Sequence, residues 1–294
     1  MAEKKTLVGK GREAADIILD DGSFQENIVA GYHMDPQLGP GAVVGTGKIK
    51  GRTVTVILND AKVRNPRFNV VYAGVIGMEE AYKMAIAVYK TIETDRSKAP
   101  EDKTPLVLLV DSPGNGPGKQ EEIFGMNKAT GSYQLALTEA RQNGHPVIAM
   151  IIGRAISGAF LCHGLQADRI LTLSKDFNTM IHVMPLSSIA RITKMNIEVL
   201  EELSVSNPVF ASGADFFYRL GGVEEIIDDT DAMADTIDKY IQEIYALNAK
   251  SESESAGPWG RGILGSERGG RITRGPVIEK MREEFFSLEP EYLG

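Results

Sequence analysis

Two short stretches hold residues whose types and spacing could do chemistry without any reactive side chain. One is 106–118, LVLLVDSPGNGPG, and the other is 146–170, PVIAMIIGRAISGAFLCHGLQADRI. In each, an apolar run reads as a buried strand that breaks into small residues, and the second break opens directly onto a helix. About forty residues separate the breaks, room for a crossover helix that returns the chain to a parallel strand. Turns at neighbouring strand ends can aim backbone N–H groups at one point, which stabilises an oxyanion. Gly153, Gly158 and Ala159 bracket the helix start, where unbonded N–H groups and the helix dipole favour negative charge. Small residues there let a ligand reach the main chain. Tight helix–sheet packing explains the same residues and, on the spacing alone, is the stronger reading.

Other chemistries fit less well. Gly114-Asn115-Gly116-Pro117-Gly118-Lys119-Gln120 looks like a phosphate loop, but Pro113 stands where the Walker pattern needs its first glycine. Gln120 replaces the Ser/Thr magnesium ligand, and the run is not GxGxxG either. Ser157 sits where a hydrolase nucleophile elbow would be, yet alanines (Ala155, Ala159) flank it instead of glycines. The later histidines, His163 on the same helix and His182, are not natural triad partners for it. Ser157 is better read as a small residue permitting close approach, or as a helix N-cap. No histidine pair has metal-ligand spacing. His145 precedes a proline in a turn and reads as exposed, whereas Cys162 and His163 read as core. His182, after a strand near the second turn, is the best histidine for a side-chain role.

The chain as a whole bounds the answer. It has 294 residues, 43% hydrophobic, with net charge −8 and one cysteine. That length buries a large core. The acidic balance argues against nucleic acid and anionic membrane surfaces as partners, and no apolar run is long enough to span a bilayer. A single cysteine excludes a disulfide framework and points to a reducing, cytoplasmic setting. Residues 6–15 read as a mobile lead-in. Residues 42–60 read as two antiparallel strands joined by a tight turn at Lys50-Gly51-Arg52. Helical spacing marks 76–94, and 121–143 is the crossover helix. Helices are also read at 157–165, 189–203 and 231–247, with short strands at 170–173 and 179–183. In 231–247, Met233, Ile237, Tyr240, Ile241 and Ile244 share one face. Residues 251–276, rich in Ser, Gly and charge, read as a loop or arm. Trp259 there either docks on a partner or packs on its own domain.

The order of these elements resembles the carboxyltransferase branch of the crotonase-like superfamily over roughly residues 15–245. Asp20-Asp21-Gly22-Ser23-Phe24-Gln25-Glu26 is similar to that family's early D-x-G-S-F-x-E stretch, and 42–60 to its hairpin. Asp111-Ser112-Pro113-Gly114 with Pro117-Gly118 resembles its D-T-P-G-x-x-P-G turn, and Ser157-Gly158-Ala159 the second turn. Within the branch, GRAISGAFLCHGLQADRIL and Asn207-Pro208-Val209-Phe210 most resemble the gamma subunits of biotin-independent malonate decarboxylases. Arg154-Ala155-Ile156 departs from the family's glycine-richer approach to the second turn.

The resemblance implies an α/β crotonase-like spiral of ββα units with a mixed sheet and an extended C-terminal arm. It divides the chain into an N-terminal segment (1–15), a carboxyltransferase-like domain (16–248) and an arm (249–294) free for a partner. It implies an enzyme subunit that pairs with a homologous beta subunit. At their interface a malonyl thioester on an acyl carrier protein would lose CO₂ to give the acetyl thioester. A separate alpha subunit would exchange acetyl for malonyl on the carrier. The CoA-derived prosthetic group would sit on that carrier, with no cofactor and no metal on this chain. Main-chain N–H groups of Gly158, Ala159 and Gly114 would act in catalysis, with Ser112, Asn115, Gly116, Ser157 and His182 lining the substrate. The alternatives are a biotin-dependent carboxyltransferase half and, from another class, a non-catalytic assembly subunit.

Overall fold

The computed structural model describes residues 5–206 and 212–293. Asn207-Pro208-Val209-Phe210, cited for the resemblance, lies outside the described residues. The chain opens with α1 (Gly11–Ile18), three two-residue strands β1 (Gln25–Glu26), β2 (Ile28–Val29) and β3 (Tyr32–His33), then β4 (Ala42–Ile49) and β5 (Arg52–Asn59). Next come α2 (Met78–Thr94), β6 (Leu106–Ser112), α3 (Lys119–Phe124), α4 (Met126–Gln142), β7 (Val147–Ile156), α5 (Ser157–Cys162), β8 (Arg169–Leu173) and β9 (Met180–His182). The remainder is α6 (Leu186–Thr193), α7 (Ile197–Ser206), α8 (Ala214–Arg219), β10 (Glu225–Ile227), α9 (Met233–Ala249), α10 (Gly257–Glu267) and α11 (Arg274–Leu293).

The main sheet runs β1-β4-β5-β6-β7-β8-β10. Its early half is antiparallel, because β4 and β5 form the expected hairpin with Ile49 opposite Arg52. Lys50 and Gly51 both take positive φ (50° and 80°), the two-residue turn whose twist suits a hairpin. From β5 onward every pairing is parallel. A parallel sheet needs cover on both faces, so its strands carry apolar residues on both. In β6, Leu106, Leu108 and Val110 face the core under α2 and α4, while Val107 and Leu109 face the core under α1 and α9. β7 is long enough to serve two partners: its first half pairs β6 and β8, and its last residues pair β9.

Several expectations need correction. The lead-in is not mobile: Leu7, Gly11, Ala14 and Ala15 are buried, and 11–18 is helical. The crossover is two helices, broken at Gly125 in the left-handed region (φ 98°). The helix read at 189–203 is likewise two, α6 and α7. Residues 251–276 are not loop throughout, since they contain α10, whose Gly257, Gly260, Arg261, Gly262 and Gly265 are buried. Arg261 donates to the carbonyls of Ala167 and Leu165, and the Gly257 amide to Asp168 O (2.9 Å), so α10 clamps the loop that follows α5. Beyond it, α11 exposes Met281, Phe285 and Phe286. His145 is buried, not exposed, with Nδ1 2.8 Å from Thr104 O.

Candidate functional site

β6 and β7 are parallel neighbours, so the breaks after them fall at the same end of the sheet, with Ser112 opposite Ala155. Their register shifts between Val110 and Ser112, leaving extra residues on β7. Asp111 fills that irregularity. Its buried Oδ1 accepts from the Arg154 amide and from Arg154 Nε, both at 2.8 Å. Its Oδ2 accepts from Arg154 Nη2 (2.9 Å) and from the Gly9 amide (2.7 Å). A Cβ on Gly153 would lie 2.5 Å from Asp111 Oδ1, so only glycine fits there. Arg154 Nη2 also reaches Ala73 O at 3.0 Å. Four donors on one buried carboxylate tie the N-terminal segment, β6 and β7 together just below the turns. Sequence reading missed this pair. Asp111 was absorbed into a turn motif and Arg154 was a departure from a pattern. The available signal was opposite charge at corresponding ends of adjacent strands.

The first turn is braced from within and from behind. Ser112 Oγ, buried, accepts from the Gly114 amide (3.3 Å) and donates to Gly114 O (3.1 Å). Gly114 O also accepts from the Ile76 amide (3.1 Å), and the Gly116 amide donates to Ile76 O (3.0 Å). The main-chain N–H groups of Gly114 and Gly116 are therefore committed. Asn115 is the residue that crosses to the second turn: its Nδ2 lies 3.9 Å from Cys162 Sγ, and its Oδ1 leaves no room for a side chain at Gly158.

At the second turn Ser157 has φ 56°, the left-handed region that strains a non-glycine residue, and its side chain is exposed. α5 begins there, so the Gly158 and Ala159 N–H groups have no partner within the helix. The structure thus brings Gly158, Ala159, Asn115 and Ser157 together, with Gly114, Ser112 and Gly116 supporting them. His182 lies opposite Ile156 in the β7–β9 pairing, next to the residue that turns into α5. Burial pushes its imidazole pKa down, and its Nδ1 is buried without a partner. A Ser157–His182 couple would therefore lack the acid that orients a hydrolase histidine. Cys162 is no nucleophile, because burial pushes its thiol up to about 12. Among the described residues, no three His, Cys, Asp or Glu side chains are grouped to hold a metal ion, and no helix is long and apolar enough to cross a membrane.

His163, one position after Cys162, anchors α5. It is fully buried, with Nε2 3.1 Å from Leu109 O and Nδ1 2.9 Å from Tyr133 Oη. The carbonyl requires a proton on Nε2, so Nδ1 accepts from the tyrosine. Burial pushes the imidazole pKa down to about 4. The native state then refuses a proton that the unfolded chain takes up near 6.5. Stability is full above that value and falls as pH drops towards 4, by roughly 3 kcal/mol in all. Thermal melts from pH 7 to 4.5 should show a steeper loss for the wild type than for His163→Gln. Parallel curves would rule this out.

A model of the malonate decarboxylase gamma-subunit family matches residues 72–285. Malonyl-S-ACP:biotin-protein carboxyltransferase MADD of Malonomonas rubra is 59% identical over 288 residues, covering 98% of this chain and 99% of its own length. Among solved structures, the Pseudomonas malonate decarboxylase MdcD-MdcE hetero-dimer matches with TM-score 0.68 and 27% identity, covering 83% of this chain and 90% of the matched one. The Pseudomonas hetero-tetramer in complex with coenzyme A matches with TM-score 0.66 and 27% identity over 85% of this chain and 97% of the other. The carboxyltransferase-like, crotonase-type fold expected from the sequence is shared with these structures. With the family model spanning well over half of its length, the chain belongs to the gamma-subunit family of malonate decarboxylases.

Proposed function

We propose that this chain, paired with a homologous beta subunit, forms one wall of a site that removes the terminal carboxyl group of a malonyl thioester carried on an acyl carrier protein. When the C–C bond breaks, its electron pair moves into the thioester carbonyl and makes an enolate. The enolate then takes up a proton to give the acetyl thioester. The barrier falls where donors stand ready for the enolate oxygen, and one such donor is worth roughly 3–4 kcal/mol. The observation that carries the reading is the meeting of the two turns, with the free Gly158 and Ala159 N–H groups beside Asn115. This chemistry needs no nucleophile and no metal. The CoA-derived arm belongs to the carrier, and an alpha subunit would reload the carrier with malonyl.

Apolar side chains stand open after both turns: Ile123 and Phe124 near the first, Leu161, Val183 and Met184 near the second. Exposed apolar groups clustered around a half-built site are what a partner covers, and the beta subunit is that partner. The chain alone should release no CO₂ from malonyl carrier, and adding the beta subunit should restore turnover. CO₂ release by the chain alone would defeat the pairing.

A second reading has its own support, the 59% identity to a protein named as a carboxyltransferase to a biotin protein. Bond cleavage is the same, but the carboxyl group passes to biotin on a carrier instead of leaving as CO₂. Adding a biotinylated carrier to the reconstituted pair separates the two. Carboxylated biotin formed at the expense of CO₂ selects the second; unchanged CO₂ release selects the first.

A further inference from the structure

Behind the first turn lie two carboxyl groups that the chemistry above does not use. Glu80 of α2 and Glu121 of α3 are 0% and 1% exposed. Glu80 Oε1 accepts from Asn65 Nδ2 (3.0 Å) and from the Gly41 amide (3.4 Å). Its Oε2 and both oxygens of Glu121 are buried, and the amides of Gly118 and Met78 that face Glu121 fall short of full hydrogen-bond geometry. The two side chains converge beside Gly77, where a Cβ would lie 2.5 Å from Glu80 Oε2 and 3.2 Å from Glu121 Oε1. On its other side the Glu121 carboxyl packs against the main chain of the first turn. A Cβ on Gly118 would lie 2.6 Å from Glu121 Oε2, and Gly116 has no room for one.

The charges around the pair do not neutralise it. Glu79, next to Glu80, is engaged by Arg67 Nε (2.7 Å) and by Asn65 Nδ2 (2.8 Å), so Arg67 is already committed. Lys83, one turn along α2, is itself buried, and its pKa is pushed down by that burial. Glu122 adds negative charge beside Glu121, and Glu79 beside Glu80. The amides of Gly118 and Met78 ease the Glu121 charge only partly. Two carboxylates sharing one dry space cannot both ionise.

We propose that Glu80 and Glu121 share one proton, and that this neutralised pair is the positioning support that holds 114–118 in shape, giving the site an upper pH limit. The shared proton gives a partner to one oxygen of each carboxyl group, two of the three buried oxygens that lack one. Consistently, burial raises the pKa of both groups, and the charge of Glu80 raises that of Glu121 further. A raised native pKa stabilises the fold fully below the ordinary carboxyl value of 4.5, and that support is lost as pH rises from there through the value at which the pair ionises. Repulsion and water entry then displace the turn that carries Asn115.

The test uses the full chain in its complex with the beta subunit. Glu121→Gln supplies a permanent amide donor to Glu80 and needs no shared proton. Its melting temperature should fall less than the wild type's as pH rises from 5 to 9.5. The upper limb of its turnover profile should move up by about one unit or more, with kcat near normal below that limb. Glu121→Ala should lose about tenfold or more in kcat at every pH, since the turn loses its backing. An upper pH limb and melting profile of Glu121→Gln that coincide with the wild type's would overturn the proposal, as would normal turnover in Glu121→Ala. The turnover arm rests on the site proposed above. The melting arm does not, so failure of that functional reading would leave the pH-dependent melts to decide this one.

Discussion

Asp111→Ala should destabilise the fold by about 3–5 kcal/mol, the cost of leaving a half-buried guanidinium without its counter-charge. The substitution strands the Arg154 side chain, the Arg154 amide and the Gly9 amide at once. It also unties the ends of β6 and β7, so turnover should drop to background even in complexes that still assemble. Arg154→Met should be milder, because it leaves the Asp111 carboxylate with two amide donors. Urea denaturation of both variants, with gel filtration of the reconstituted complex, measures this. An Asp111→Ala protein as stable as Arg154→Met would show that the guanidinium is satisfied elsewhere and that the carboxylate is not the joint.

The second large effect is expected at Gly158. Gly158→Val should lower turnover by about a hundredfold or more, the scale of losing one oxyanion donor. Two causes are separable. A side chain there obstructs the main-chain N–H groups of Gly158 and Ala159, and it also displaces Asn115. Asn115→Ala removes only the second cause. If the displaced amide accounts for everything, the two single variants and their combination will turn over alike. If the main-chain donors matter, Gly158→Val will be much the worse. Ser157→Ala should be mild, because the exposed hydroxyl has no nucleophilic role in this scheme. Abolished turnover in an intact Ser157→Ala complex would favour hydrolase chemistry. Near-normal turnover in Gly158→Val would put the decisive donors in the partner.

How much of this was legible follows from the kind of signal each element leaves. β6 and β7 are continuous apolar runs ended by Pro or Gly and small residues, so both strands and both turns could be read directly. The Lys50-Gly51 hairpin and the apolar face of α9 were equally plain. α1 was missed although Gly11, Ala14, Ala15 and Ile18 recur at helical spacing, because three of these four buried residues are too small to read as an apolar face. A Cβ on Gly11 would sit 2.5 Å from Asn59 O, so the smallness that hides the helix is what lets it approach the sheet. α10 was hidden in the same way. Its composition resembles a linker, but side chains at Gly260 and Gly265 would run into the main chain at Ser255 and Leu220. Close packing overrode the poor helix propensity of glycine. In the candidate site, the turns were visible as motifs, but the commitments of their N–H groups were not. That Gly116 spends its N–H on Ile76 depends on a loop some forty residues upstream in sequence, a distance at which pattern carries no information. The Asp111–Arg154 joint and the Glu80–Glu121 pair are tertiary in the same sense.

The clamp of α10 on the loop behind α5 has a consequence for how the chain is made. Arg261 follows Ala167 by 94 residues. At ordinary elongation rates that interval is roughly 5–20 s. Throughout it the carbonyls of Leu165 and Ala167 must be satisfied by water or by another protein, while the strands before them are already available to pair. The loop behind α5 is therefore among the last parts of the domain to set during biosynthesis, after the anchors of α5 itself, Leu109 and Tyr133, have been made. The order of translation thus leaves the two turns in place before the backing of the second is closed.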